Sequence, residues 1–419
     1  MSPSSFLTIY EKRVEFPIYG VDFTADGILV LIGGGGANHP GVNNHLTCLE
    51  VSEDEKELRE IRTINWSETE DCPMSLSSHP NVSVTAVGMN SNENDIKEAN
   101  NLSCRLFDIT KDGDINLKIK IKASNCTSSD IYQKVTVFSQ TSGKYLATGF
   151  SDGRLTVMKE NDFGWHLCFP SVKFNQSIQD IDFDANEEYM VITTTTALII
   201  LCVHDGSGDI VQVIDSPKLN KNIKCEFIAS RYGIKNGQQV LYAAVNPIQR
   251  NNKSAYITAW TLRSSSSLAY PLNSKTAKTV GIGRKKITHL RVRLVEFDFI
   301  WACSLCIKKC TFTRSPKGNI LAYASSDHSI GFVDAATLKE HSSTITAFNF
   351  SKNGKYLASA SADRACKVLV LPDNFKQLKP VADDMLITSI IAVVNMILFA
   401  LLVHIVVEMT DQGTLFGTA

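Results

Sequence analysis

Apolar side chains recur along this chain with the two-residue period of half-buried strands. At Ile345, Ala347, Phe348 and Phe350 they alternate with polar neighbours, a turn follows at Asn353-Gly354, and Tyr356 to Ser361 forms a second run rich in small residues. The same grammar returns. Ile18 to Gly27 repeats the first strand and its turn at identical spacing, Ile178 to Tyr189 repeats them again, and Val135 to Asp152 is a fourth copy. Each copy leads through a polar turn into another apolar strand: Arg154 to Met158, Ala197 to Cys202, Ser329 to Val333 and Cys366 to Val370. Fainter copies lie at Met74 to Ile109 and Ile223 to Leu262. Self-similar four-stranded units predict an all-β, seven-bladed WD40-like β-propeller, with blades starting near residues 14, 74, 132, 177, 223, 285 and 342. The Trp-Asp pair typical of such blades is absent, and His341 alone matches the usual Gly-His position.

The pattern changes after the last repeat. Residues 1–372 read as a cytosolic propeller and 373–384 as a short polar linker; Met385 to Val407 carries no charge and is broken only by Thr388, Ser389, Asn395 and His404. At ~1.5 Å per residue this run is roughly 34 Å long as a helix, enough for a hydrocarbon core of about 30 Å. It predicts a single C-terminal transmembrane helix over 385–407 and a short luminal tail over 408–419. Lys376 and Lys379 precede the run while Glu408 and Asp411 follow it, which places the propeller in the cytosol. No apolar run of signal-peptide length stands at the N-terminus.

Composition narrows the function classes. With 42 basic and 43 acidic residues the net charge is −1, so no overall field recruits nucleic acid. The 11 cysteines are scattered and odd in number, as in a reducing compartment. No nucleophile and base stand in a readable constellation, so neither an enzyme with bond chemistry of its own nor a small-molecule substrate is expected.

One segment departs from blade grammar. Between the second and third strands of the first blade runs Gly33-Gly-Gly-Gly36-Ala37-Asn38-His39-Pro40-Gly41-Val42-Asn43-Asn44-His45. A hairpin needs only about two turn residues, so a longer glycine-rich excursion holds backbone in shapes other residues resist. It lacks the Gly-Lys-Ser/Thr of a phosphate loop, and Asn38 stands where a dinucleotide fingerprint needs glycine. His39, His45 and Cys48 match no common zinc spacing, so no metal site built from side chains is expected. Neutral backbone carbonyls without Asp or Glu suit a large monovalent cation such as potassium.

The glycine run, the Gly41-Val42 step, Asn44, the divergent blades and the C-terminal span together resemble the endoplasmic-reticulum exchange factors that activate the Sar-type small GTPase for COPII coat assembly. Prolactin regulatory element-binding protein is their animal relative. The resemblance implies a guanine-nucleotide exchange factor on the endoplasmic-reticulum membrane, with a Sar-type GTPase as partner. It implies a structural potassium ion on the carbonyls of Gly35, Gly36, Ala37 and Asn38. Asn44 falls on the catalytic asparagine, which reaches into the GTPase, and Ala37, Asn38, Gly41, Val42, Asn43, Asn44 and His45 form the contacting loop. Where family members carry proline before that asparagine, this chain has Asn43. The alternative is a non-catalytic, membrane-anchored propeller scaffold for trafficking complexes.

Arg293 to Arg314 breaks the sixth repeat. Its Cys303, Cys306 and Cys310 invite a zinc reading but need a fourth ligand from elsewhere. Joining Ile287–Val292 to Ser315–Gly318 restores the register of Ile345 to Gly354, so 293–314 reads as an insertion or translated intron. It is expected to protrude without adding a strand.

Overall fold

The computed structural model describes residues 8–36, 41–66, 69–217, 224–235, 238–248, 255–261, 302–303, 313–314, 321–324, 328–332, 337–339 and 341–371. Their strands form antiparallel sheets in which chain order and spatial order agree. In the first, β2 (Ile18–Phe23), β3 (Leu29–Gly33), β4 (Asn44–Ser52) and β5 (Glu57–Trp66) lie side by side. The N-terminal strand β1 (Ile9–Arg13) instead joins the last sheet, pairing Ile9 with Leu369 and Arg13 with Ala365. The two ends of the propeller are thereby closed by backbone hydrogen bonds.

Inner strands starting at Ile18, Ser75, Gln133, Ile178, Cys225, Thr313 and Ile345 each lie against the next, and the last returns to β2. The fold is an all-β propeller. Six of its sheets contain at least three strands of four or more residues, while the sheet built on Thr313–Arg314 is described only in short pieces. The expected seven-fold repeat is therefore seen as six full blades and one fragmentary sheet.

The sixth inner strand corrects the sequence reading. It is Thr313–Arg314, pairing with Leu321 and Ala322, and Ala302–Cys303 forms the outer strand of the preceding sheet beside Ala255 and Tyr256. These four residues, inside the expected insertion, are ladder-bonded parts of two blades rather than a protrusion. Backbone pairing does not need the repeat's apolar pattern, which is why the pattern misled. The other residues of 293–314, and Ile287–Val292, lie outside the described residues, as do the expected linker 373–384, span 385–407 and tail 408–419. Among the described residues no helix is long and apolar enough to cross a membrane.

The apolar core is divided among the seams between blades. Phe23, Leu29 and Leu31 of the first blade pack against Ala358, Ala360 and Val368 of the last, and Val30 and Ile32 on the other face meet Val87 and Phe107 of the second. Both faces of a middle strand are buried, so β3 reads as a continuous apolar run. The carboxylate shared by two of the repeats has a matching task. Asp22 accepts from Ser78 N at 2.7 Å and Asp182 from Tyr232 N at 2.8 Å, each in the next blade. Inner strands also bulge at one recurring place, near Tyr19, Lys134, Gln179, Ile228 and Thr346, and all five residues line a central cavity of about 600 Å³.

In the last blade His341 is 4% exposed, with Nε2 2.8 Å from Ser359 Oγ. Asp363 accepts from Ser342 N and Ala365 N, both at 3.0 Å. Burial pushes the His341 pKa down to about 4, and the Asp363 carboxyl is held down at about 2, below its ordinary value, by those N–H donors. The unfolded chain takes up the histidine proton below about pH 6.5 whereas the fold resists it, so stability is lost as pH falls from ~6.5 to ~4. Asp363 adds a loss only below about pH 4. We expect unfolding in urea to show a loss of about 2 kcal/mol between pH 7 and pH 5 from His341, with His45 and His79, also shifted down by burial, adding in the same direction. A His341→Asn variant with an unchanged slope over this range would show that the histidine is not the source.

Candidate functional site

The glycine-rich loop joins β3 to β4, the second and third strands of the first blade, as the repeat predicts. Gly33 still pairs with His45. Beyond it the chain is held from inside: Gly34 N donates to Pro17 O at 3.1 Å, Gly35 N to Val42 O at 3.2 Å and Gly36 N to the Asn44 side-chain Oδ1 at 3.0 Å. Two glycines are demanded by this approach. A Cβ at Gly34, where φ is +148°, would lie 2.6 Å from Asn44 Cα; at Gly36, where φ is +66°, it would lie 2.9 Å from Cys72 N.

Asn44 is completely buried. While its Oδ1 accepts from Gly36, its Nδ2 donates to Glu70 O at 3.0 Å and Asp71 O at 3.3 Å. The amide is satisfied on both ends, a use only Asn or Gln can serve without charge. In this arrangement the Asn44 side chain faces inward, because all three partners lie within the protein. The neighbouring Asn43 is exposed, as is Gly41, whereas Val42 is half-buried against the first-blade core. His45 stacks on Phe16 with ring centroids 4.4 Å apart, and burial lowers its pKa. Ala37, Asn38, His39 and Pro40 lie outside the described residues.

The segment that receives Asn44 is itself anchored in the second blade. Arg105, whose side chain is 2% exposed, grips Glu70 through two bonds of 3.0 and 2.7 Å. Asp71 accepts from Asn90 Nδ2 at 3.2 Å, and Asn90 is bonded in turn by Asn101 at 2.9 Å. Cys72 donates its thiol to Gly34 O at 3.4 Å, and burial pushes its pKa to about 12, so it stays a neutral donor. The loop is thus tied by Asn44 and Cys72 to a polar network spanning the seam between two blades. Gly41 and Asn43, the exposed residues of the described part of the loop, stand beside this anchored base, open to a partner.

The family described as WD domain, G-beta repeat matches residues 332–368, the blade that holds His341, Ser359 and Asp363. SED4 of Saccharomyces cerevisiae, named provisionally as a guanine nucleotide-exchange factor, is 24% identical over 85% of this chain and 30% of its own length. Guanine nucleotide-exchange factor SEC12 of Candida glabrata is 22% identical over 89% of this chain and 74% of its own. These proteins are its relatives. The resemblance read from the loop and blades is therefore shown along most of the chain, at low identity. The chain spans about a third of the SED4 proteins it matches, that of C. glabrata included.

Glu70, Asp71, Cys72, Asn90, Asn101 and Arg105 were not legible as site residues. One signal was available: an arginine between Cys104 and Leu106 in an apolar strand has to find an acid once buried.

Proposed function

We propose that this propeller is a guanine-nucleotide exchange factor that promotes GDP release from a Sar-type small GTPase at the endoplasmic-reticulum membrane and so starts COPII coat assembly. The observation that carries the reading is the loop of residues 33–45, founded on a buried asparagine and standing on a propeller whose relatives include proteins named exchange factors. Exchange is linkage rather than bond chemistry. A surface that binds the nucleotide-free GTPase more tightly than the loaded one weakens nucleotide binding by the same factor. In this mechanism Asn44 is a positioning residue. It holds Gly36 on one side and Glu70 and Asp71 on the other, while Gly41, Val42 and Asn43, with Ala37, Asn38 and the rim residue His45, meet the GTPase.

Potassium is part of the proposal. No hydrogen bond among the described residues ends on the carbonyls of Gly35 and Gly36, whose N–H groups are already used internally. In this proposal the two carbonyls are offered to a monovalent cation together with those of Ala37 and Asn38, and the ion would stiffen the loop. The apolar run 385–407 is proposed as the single membrane span that keeps the reaction at the bilayer, propeller cytosolic and tail luminal.

The test is GDP release from a Sar-type GTPase on liposomes carrying the full chain. Release is expected to quicken at least about tenfold, equivalent to ~1.4 kcal/mol of barrier, and to slow when sodium replaces potassium. Binding of the GTPase with unchanged release would instead indicate a membrane-anchored scaffold.

A further inference from the structure

The turn closing the fourth sheet gathers three side chains of a chemistry the loop lacks. Cys202 ends the strand Ala197–Cys202, and His204 and Asp205 follow before Ile210–Asp215. Residues two apart in extended chain share a face, so Cys202 and His204 point together while Val203 between them is fully buried. Cys202 Sγ lies 3.2 Å from His204 Nδ1, and one ligand atom from each of Cys202, His204 and Asp205 falls within 4.8 Å of the others. In tetrahedral zinc sites, with Zn–S ~2.3 Å and Zn–N ~2.0 Å, sulfur and nitrogen stand about 3.5 Å apart. The Cys202–His204 pair already has nearly that spacing, and the Asp205 carboxylate lies within 4.8 Å of both.

The turn holds them there. Val203 N donates to Glu188 O and Cys202 N to Asp209 O, both at 2.9 Å, and Gly206 N closes back on Val203 O at 3.2 Å. Ser207 N donates to Asp205 Oδ1 at 2.9 Å, which keeps that carboxyl ionised by lowering its pKa. Burial raises the Cys202 pKa and Asp205 adds to the rise. A thiol, an imidazole and a carboxylate converging at a solvent-facing turn are a donor set for a borderline-soft divalent cation.

We propose that Cys202, His204 and Asp205 bind a divalent cation of the zinc class, with water in the fourth position. This replaces the expectation of no side-chain metal site. Binding releases the Cys202 proton to solvent, so affinity rises with pH. His204 and Asp205 are exposed, which gives the ion its entry path and makes their variants safe for folding. The half-buried Cys168, from the preceding blade, sits nearby with its thiol 3.6 Å from Val203 O but does not belong to the three-donor group.

Cobalt(II) is the probe, added to the metal-free full chain in detergent. A thiolate-to-cobalt charge-transfer band is expected, saturating at a single equivalent and displaced by zinc. It should vanish in Cys202→Ser, persist in Cys168→Ser, and need at least about tenfold more cobalt in His204→Ala and Asp205→Ala. Absence of the band in the unaltered chain, its loss in Cys168→Ser, or unchanged affinity in both His204→Ala and Asp205→Ala would overturn the proposal.

Discussion

Asn44→Ala is expected to lower the melting temperature by several degrees and to slow GDP release together, whereas Asn43→Ala should slow release alone. The difference follows from burial. Removing the Asn44 amide strands Gly36 N–H, Glu70 C=O and Asp71 C=O, all bonded to it within 3.3 Å. Leaving a buried polar group unsatisfied costs about 1–3 kcal/mol, so the loss exceeds the few tenths typical of an exposed substitution. Asn44→Asp should be worse still: a carboxylate accepts from Gly36 but cannot donate to two carbonyls, which would repel it. Asn43 is exposed, so its replacement should leave melting unchanged and affect only contact with the GTPase. Amide exchange at Gly36 supplies the direct check. If that amide is no less protected in Asn44→Ala and melting is unaltered, the positioning role is wrong.

The second large effect is expected at Glu70, where replacement by Ala should cost about 3–5 kcal/mol in urea unfolding by leaving a buried guanidinium unpaired. Arg105 is 1% exposed and its Nε has no hydrogen-bond partner among the described residues, so the two bonds to Glu70 are what compensate its burial there. The effect should lie toward the lower end, because the Glu70 side chain keeps 18% of its surface in solvent. Changing both residues together to Leu should recover much of the loss, since an apolar pair carries no desolvation penalty. Glu70 also offers its carbonyl to Asn44, so the single variant is expected to loosen the glycine loop and slow exchange as well. A Glu70→Ala protein within about 1 kcal/mol of the parent would show that water reaches Arg105.

The propeller itself was legible because strand patterning is local. Ile345, Ala347, Phe348 and Phe350 are the buried positions of the strand Ile345–Phe350, and the strands observed at Ile18–Phe23, Ile178–Phe183 and Ala197–Cys202 coincide with the runs that predict them. A side-chain period of two needs no knowledge of the neighbouring blade. The place of the loop between the second and third strands followed from the same count. The reading failed at Thr313–Arg314, where backbone pairing proceeds without the apolar alternation on which recognition of the repeat depended.

Tertiary structure alone decided how the loop is founded. Asn44 stands 26 residues from Glu70, and Glu70 stands 35 residues from Arg105; their contact depends on how far one twisted sheet is rotated against the next. Closure by β1 against the last blade likewise joins the two ends of the propeller, Arg13 to Ala365, across nearly the whole described chain. Sequence by itself determined the strands, the repeat and the position of the glycines, because each expresses chemistry within a few residues. Which asparagine of the Asn43-Asn44 pair is buried was set by the seam between the first two blades, where hydrogen bonds to Glu70 and Asp71 outweigh the cost of taking an amide out of water.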